Sequence, residues 1–463
     1  MIEKYLEAYI RSPLDRLSAC PLNFLLLPKP FQSPDMTSDN LTSSASTAKF
    51  NYVISLTIIG SLYFIFGFVT WLNGILIPYL KIACELTNFQ ALFVAFAFYI
   101  SYTLMALPSA WVLKQTGFKN GMMAGLWVMA MGTLIFVPAA LARTFGLFLT
   151  GLFVMGTGLA ILQTAVNPYI TIIGKRETAA RRISIMGICN KLAGAIAPLI
   201  LAYFILQDGD AFVKNLKNMD ALAKTVALNG LAHRVIAPYL LMTAVLFLLG
   251  LMIRFSPLPD IEAEPEESLD NTTASDKKSI FAFPQLILGA IALFFYVGAE
   301  VMAGDTIIRY GISKGITIAT AKAFTTYTLI AMVVGYILGI ALIPKIISQR
   351  IALLLSAVLG IFLTAAVLTA DGNTSVLFVA ILGFANAIVW PAIWPLAIHD
   401  LGKFIKTGSA VLIMAIAGGA LLPLAWGWWS DHFNSQQAYW ILLPCYLVIL
   451  LYASWWYKLR SWK

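Results

Sequence analysis

The sequence is poor in most of what keeps a protein in water. Only 11% of its 463 residues are charged, where a soluble globular domain carries about 25%. Three histidines (His233, His399, His432) and four cysteines (Cys20, Cys84, Cys189, Cys445) are scattered without CxxC or HExxH spacing, and neither GxSxG nor a P-loop occurs. These absences argue against a disulfide framework, a metal centre, a serine-hydrolase site and nucleotide-driven work. No cofactor and no metal are expected, and an enzyme is the weakest of the readings. Any energy spent on a solute has to come from a gradient. The start, MIEKYLEAYIR, mixes charges and is followed by no apolar core of the length a signal peptide needs.

What is present is hydrocarbon. Apolar residues make up 60% of the chain, and its mean hydropathy is +0.83. Runs long enough to cross ~30 Å of bilayer recur about twelve times. They are expected at 53–80, 89–113, 121–141, 145–171, 183–206, 235–255, 283–309, 319–343, 350–370, 374–398, 409–429 and 437–457. The division between the third and fourth rests on Leu141-Ala-Arg-Thr144 alone. The chain therefore reads as an all-α, polytopic membrane protein with the lipid bilayer as a partner.

A net charge of +9 can mean nucleic acid, but here the cations sit in loops, where they report topology. Alternate short loops collect Lys114, Lys119, Lys175, Arg176, Arg181, Arg182, Lys345, Arg350, Lys403 and Lys406, and the other short loops chiefly Lys81, Arg143 and Lys314. The positive-inside rule then puts both termini in the cytoplasm. No nucleic-acid partner is expected.

The expected organisation is a disordered cytoplasmic leader over 1–52, six spans over 53–256, an acidic cytoplasmic linker over 257–281, six spans over 282–457 and a cytoplasmic tail over 458–463. Within the leader Met36 opens a second candidate start, which would make residues 1–35 dispensable. The linker, SPLPDIEAEPEESLDNTTASDKKSI, exchanges apolar residues for Pro, Glu, Asp and Ser. It divides the spans six and six, as a duplicated architecture would. Asn167-Pro-Tyr before a basic loop and Ile185-Met-Gly-Ile is echoed weakly by Trp394-Pro-Leu before a basic loop and Ile413-Met-Ala-Ile. The mixed-charge segment 207–234 is expected outside, with room for a short surface helix.

Function is sought where polarity enters the hydrocarbon, because polar groups at that depth face a partner or a water-filled path. Span 1 carries Asn73 beside Gly74 and five residues before Pro78, a composition that loosens a helix. Span 4 carries Gln163 and Asn167 on one face, and span 5 carries Asn190 and Lys191. Span 7 holds two carboxylates, Glu300 and Asp305, whose five-residue spacing turns them about 140° apart, so they do not share one partner. In span 10, Asn386, Trp390 and Trp394 follow at four-residue steps. Amides that hydrogen-bond hydroxyls, next to indoles that take the C–H faces of a pyranose, suit a neutral sugar. The blander readings are interhelical hydrogen bonds for the amides, interfacial anchoring for the indoles and a structural ion pair for Lys191.

At this point the chain resembles a known family, the fucose, galactose and glucose proton symporters of the major facilitator superfamily. The resemblance covers about residues 53 to 457 and rests on Leu72-Asn-Gly-Ile-Leu-Ile-Pro78, Leu86-Thr-Asn-Phe-Gln-Ala91, Ala97-Phe-Tyr99, Gln163-Thr-Ala-Val-Asn-Pro-Tyr169, Tyr296-Val-Gly-Ala299 and Gly408-Ser-Ala with Gly418-Gly419. Cys189-Asn-Lys-Leu-Ala-Gly194, Ala303-Gly-Asp-Thr306 and Ala385-Asn-Ala-Ile-Val-Trp-Pro391 make it most similar to the bacterial glucose/galactose and N-acetylglucosamine permeases. The resemblance implies two six-helix bundles rocking about a central sugar site in the cell inner membrane.

Two departures matter. The fucose-transporting members have acidic residues where this chain has Gly74 and Gln163, so their proton groups do not carry over. The loop Lys114-Gln-Thr-Gly-Phe-Lys119 also lacks the usual Asp of the superfamily's inner gate. Coupling is therefore expected to move to span 7, with Glu300 first, Asp305 second and Lys191 as partner. The reading is cation symport of a neutral hexose, by H⁺ in preference to Na⁺. N-acetylglucosamine permease, sodium symporter and facilitative uniporter are the alternatives.

Overall fold

The computed structural model describes residues 38–172, 179–206, 208–216, 218–258, 279–343, 346–401 and 404–462. Among these residues there is no strand, and twelve helices are long and apolar enough to cross a membrane. Spans 1 to 6 are Tyr52–Ala83, Asn88–Leu113, Gln115–Leu141, Phe145–Asn167, Arg182–Ile205 and Ala221–Phe255. Spans 7 to 12 are Pro284–Asp305, Ile318–Leu342, Gln349–Thr369, Gly372–Ile398, Thr407–His432 and Gln437–Lys458. Large apolar side chains such as Leu241, Phe247 and Leu248 of span 6 stay exposed, which suits contact with lipid.

The helix described over Ser38–Trp71 reaches into the segment expected as a disordered leader. Residues 1–37, and with them the question of Met36, lie outside the described residues, as does the linker over 259–278. The segment expected as a loop over 207–234 contains two helices, Gly209–Leu216 and Ala221–His233, the second started by Asp220 accepting from Ala223 N–H.

The remaining boundaries follow local chemistry. Just after the junction of spans 2 and 3 the chain kinks at Gly117, whose φ of 73° is open to glycine at no steric cost. Spans 3 and 4 part over Ala142–Thr144, where the expected Leu141-Ala-Arg-Thr144 break falls. Span 8 is preceded by Thr317, span 9 by Ser348, whose hydroxyl accepts from Ile351 N–H, and span 7 starts on Pro284.

Several spans are broken. Span 1 is interrupted at Leu72 and span 10 between Asn386 and Val389, and span 7 is followed across a break at Thr306 by a further helix, Ile307–Ser313. Spans 1 and 7 occupy the same place in the two halves, and paired interruptions of that kind mark the binding region of duplicated transporters. The halves meet where span 5 packs on span 8, span 2 on span 11, and span 1 on span 7.

Consecutive spans run antiparallel, so the connections after odd-numbered spans share one end of the bundle, here the distal end. There the two halves are tied together. Asp431, at the end of span 11, accepts from Phe89 N–H at 2.6 Å. Asp210 accepts from the Ile318 and Ala319 N–H groups at 2.8 and 3.0 Å. These hydrogen bonds hold the two halves together at the distal end.

Candidate functional site

Trp71 ends the first part of span 1 and stands between the halves. A Cβ on Gly194 of span 5 would come within 2.3 Å of its ring, and one on Gly304 of span 7 within 2.2 Å. Both positions need glycine because the indole occupies the space a side chain would fill. Over this ring lies the Lys191 ammonium, 4.7 Å from the ring centroid, and Lys191 Nζ stands 2.6 Å from Glu300 Oε1. Each of the two side chains is only 11% exposed. The pair joins the N-terminal half to the C-terminal half. Burying both charges is tolerable because each is the other's counter-ion and the indole face adds cation–π attraction.

Around the pair the expected amides meet phenols. Tyr63 of span 1 donates to Asn167 Oδ1 at 2.6 Å, and Gln163 Nε2 donates to the Tyr102 hydroxyl at 3.4 Å. In the other half Tyr446 donates to Asn386 Oδ1 at 2.9 Å. Asn190 is held differently, its Nδ2 donating to the Tyr63 carbonyl at 3.4 Å. An amide that satisfies a phenol O–H can satisfy a sugar O–H by exchange of partners, with no polar atom left bare.

Trp390 and Trp394 are half-buried and stack on one another, with ring centroids 5.4 Å apart and planes 27° from parallel. The Tyr296 ring, one turn before Glu300, lies 6.4 Å from Trp390. Trp390 thus neighbours the turn of span 7 that leads to Glu300. Asn386 sits differently from the expected continuous stripe. The helix breaks just after it, and it is fully buried against Tyr446, with Nδ2 unpartnered.

Glu300 and Asp305 part company as the 140° offset requires. Asp305 is wholly buried and neither of its oxygens has a hydrogen-bond partner among the described residues. Asn73 is in the same condition at both side-chain atoms.

Sequence reasoning missed the tyrosines Tyr63, Tyr99, Tyr102, Tyr296 and Tyr446, and Trp71. A signal was there, since these residues fall in mid-span whereas tyrosine and tryptophan in membrane helices gather at the interfaces. It also missed Arg309, buried past the break in span 7 with its guanidinium 5.1 Å from the centre of the Trp426 ring. A groove of about 520 Å³ between spans 1, 5 and 6, lined by Leu56, Gly60, Ile185 and Met186 among others, contains none of the expected site residues.

The family pattern of the Major Facilitator Superfamily matches residues 59–416. A glucose/galactose transporter of Brucella abortus is 34% identical over 422 residues, covering 90% of this chain and 97% of that protein. The L-fucose-proton symporter of Escherichia coli is 29% identical over 412 residues, covering 87% and 93%. The crystal structure of FucP, a superfamily transporter, in the outward conformation matches with a TM-score of 0.68 at 28% identity, covering 88% of this chain and 99% of that one. A D-xylose-proton symporter structure, at 16% identity and a TM-score of 0.64, shares the fold. With its twelve helices, its paired interruptions and these relatives, the chain belongs to the Major Facilitator Superfamily, in the branch of the fucose, galactose and glucose proton symporters, and is a transporter and not an enzyme.

Proposed function

We propose that this chain imports a neutral hexose of the glucose/galactose type across the cell inner membrane by proton symport, its two halves rocking about the site between spans 1, 4, 5, 7 and 10. The observation that carries the reading is a set of uncharged hydrogen-bonding groups around an internally neutralised ion pair. Gln163, Asn167 and Asn386 hold phenols, Lys191 and Glu300 cancel one another, and Trp390 with Trp394 offers an aromatic platform. Such a set has hydrogen bonds to offer a polyol and no net charge to offer an anion or cation substrate. The relatives named for glucose, galactose and fucose transport agree with it.

The bias of Lys and Arg towards the loops after even-numbered spans supports the distal end as the outer face and both termini in the cytoplasm. On that orientation the Asp431 and Asp210 hydrogen bonds tie the halves together on the outer side. The acidic residues of span 7 supply the coupling, since the other branch's carboxylates are absent at Gly74 and Gln163.

The deciding experiment is uptake of labelled D-glucose and D-galactose into proteoliposomes, with and without an inward proton gradient. Accumulation above the outside concentration that needs the gradient and survives replacement of sodium by choline supports the reading. Accumulation that needs sodium would transfer the role to Na⁺, and equilibration without accumulation would make the protein a uniporter. Competition by N-acetylglucosamine in the same assay separates the hexosamine from the hexoses.

A further inference from the structure

The two carboxylates of span 7 are in opposite circumstances. Glu300 has a cation at 2.6 Å. Among the described residues Asp305 has no hydrogen-bond partner, and it lies in a cluster whose other members lack one too. Asn73 Oδ1 and Nδ2 and the Tyr99 hydroxyl, like both Asp305 oxygens, are buried and unpartnered among the described residues. Native interiors leave very few such atoms, so five from three spans at one place call for an explanation.

Contacts on every side fix the cluster. Trp71 lies against Gly304. A Cβ on Gly74 would come within 2.7 Å of Thr325 Oγ1, and that hydroxyl donates to the Gly304 carbonyl at 2.7 Å. The Tyr99 ring packs on Gly419 of span 11, and its hydroxyl is in electrostatic reach of both Asn73 and Asp305. Asn73 comes from span 1, Tyr99 from span 2 and Asp305 from span 7, so the cluster straddles the interface between the halves.

The surrounding charges do not complete it. Lys191 of span 5 is committed to Glu300, and the charged neighbour acting on Asp305 is Glu300 itself, of the same sign. Arg309, on the helix Ile307–Ser313 that follows span 7, turns to Trp426 and makes no hydrogen bond among the described residues. From span 2, Tyr102 is engaged by Gln163, and from the last span Tyr439 is engaged by Thr306. A bare carboxylate in such surroundings is far costlier than a carboxyl. One proton removes the charge and gives the cluster an O–H donor.

We propose that Asp305, with Asn73 and Tyr99, is the proton-carrying site of this transporter, and that Glu300 is instead the fixed counter-ion of Lys191. The inference rests on the symport reading given above. With the outer end open, a proton from solution adds to a carboxylate oxygen of Asp305. Closure through Asp431 and Asp210 seals the carboxyl, and the same proton leaves to the cytoplasm once the inner end opens. No other bond changes. Coupling follows because Asn73 and Asp305 belong to different halves, so the gain or loss of the O–H changes the free energy of bringing them together.

The test compares wild type with Asp305→Asn and Glu300→Gln in proteoliposomes, reading gradient-driven accumulation of D-galactose, sugar-induced alkalinisation of the outer medium, and exchange of labelled against unlabelled galactose. For Asp305→Asn the expected result is exchange that no longer varies with pH, no accumulation and no alkalinisation. Accumulation by Asp305→Asn at the wild-type level would overturn the assignment, as would loss of alkalinisation in Glu300→Gln with full coupling left in Asp305→Asn. Failure of the wild type itself to accumulate would overturn the symport reading instead. Should Asp305→Asn not exchange at all, Tyr99→Phe decides: a displaced pH profile of exchange supports the site, and an unmoved one overturns it.

Discussion

Lys191 Nζ and Glu300 Oε1 stand 2.6 Å apart at the interface between the two halves, with the Trp71 ring 4.7 Å from the same ammonium. The pair is separated by 109 residues of sequence and lies in segments that must stay in hydrocarbon. Each charge is tolerated because of the other, and the alternating motion has to carry them together or exchange their partners.

Removing one member leaves an uncompensated buried charge, which costs about 3 to 5 kcal/mol, whereas removing both is often neutral. Lys191→Met and Glu300→Gln are each expected to lower the unfolding temperature of the purified protein, and the double variant to regain most of it. Thermal unfolding in detergent measures this. Additive losses in the double variant would show that the contact is unimportant.

The amide–phenol pairs predict how sugar is held. Asn167→Ala strands the Tyr63 hydroxyl and removes a partner for the ligand, a loss of about 1 to 3 kcal/mol. Galactose binding followed by calorimetry is expected to weaken by roughly ten-fold or more, since 1.4 kcal/mol is one decade. Tyr63→Phe, which leaves the amide free for sugar, is expected to change affinity much less.

Trp390 and Trp394 stack with their ring centroids 5.4 Å apart. Trp390→Ala is expected to reduce galactose affinity by about five- to ten-fold, in keeping with ~1 kcal/mol for an aromatic contact beyond its area. It should also abolish most of any sugar-dependent change in indole fluorescence. An unchanged titration would place the indoles outside the sugar path.

At the distal end Asp431 and Asp210 hold the halves by accepting backbone N–H bonds. Hydrogen bonds to charged groups contribute about 1.5 to 3 kcal/mol each. Asp431→Asn with Asp210→Asn should therefore shift the population towards the distal-open state. Leu92 reports on it, being fully buried and lying where a Cβ on Gly427 would meet it. A cysteine at position 92, in a background without the native cysteines, is expected to react with a membrane-impermeant maleimide about ten-fold faster in the double variant.

The connection after span 5 offers a pH test outside the membrane. The Arg234 guanidinium hydrogen-bonds the Asp208 carboxylate and holds it below the usual carboxylate range. A depressed value means that the stabilisation is present above the ordinary aspartate range and is lost as pH falls through the lowered one. Half of the Asp208 side chain is exposed, so the effect stays local. Hydrogen exchange across residues 208–216 is expected to speed up on acidification in wild type, and to be already fast at neutral pH in Asp208→Asn.

Much of the architecture was legible from the chain because hydrocarbon imposes it. An apolar run of about twenty residues has one way to satisfy its backbone in a bilayer, so all twelve spans and the Leu141–Thr144 break could be placed. The helical residues described ahead of the first span, from Ser38 on, were not, because they are polar and carry no apolar period. For the site, an amide or carboxylate inside such a run announces itself, and Gln163, Asn167, Asn190, Lys191, Glu300 and Asp305 were visible for that reason. The tyrosines that pair with them hid among aromatics, since a phenol is apolar enough to pass as packing.

Composition and spacing by themselves determined a twelve-span membrane protein in two halves, with polar groups at depth and two carboxylates pointing different ways. Which carboxylate has a cation was decided only in three dimensions. Lys191 and Glu300 come together because glycines at 194 and 304 let Trp71 draw spans 5 and 7 to one another. Asp305 is left with Asn73 and Tyr99 because those residues arrive from the other half of the molecule. Periodicity fixes the face a side chain presents, but the partner on that face depends on packing between segments hundreds of residues apart.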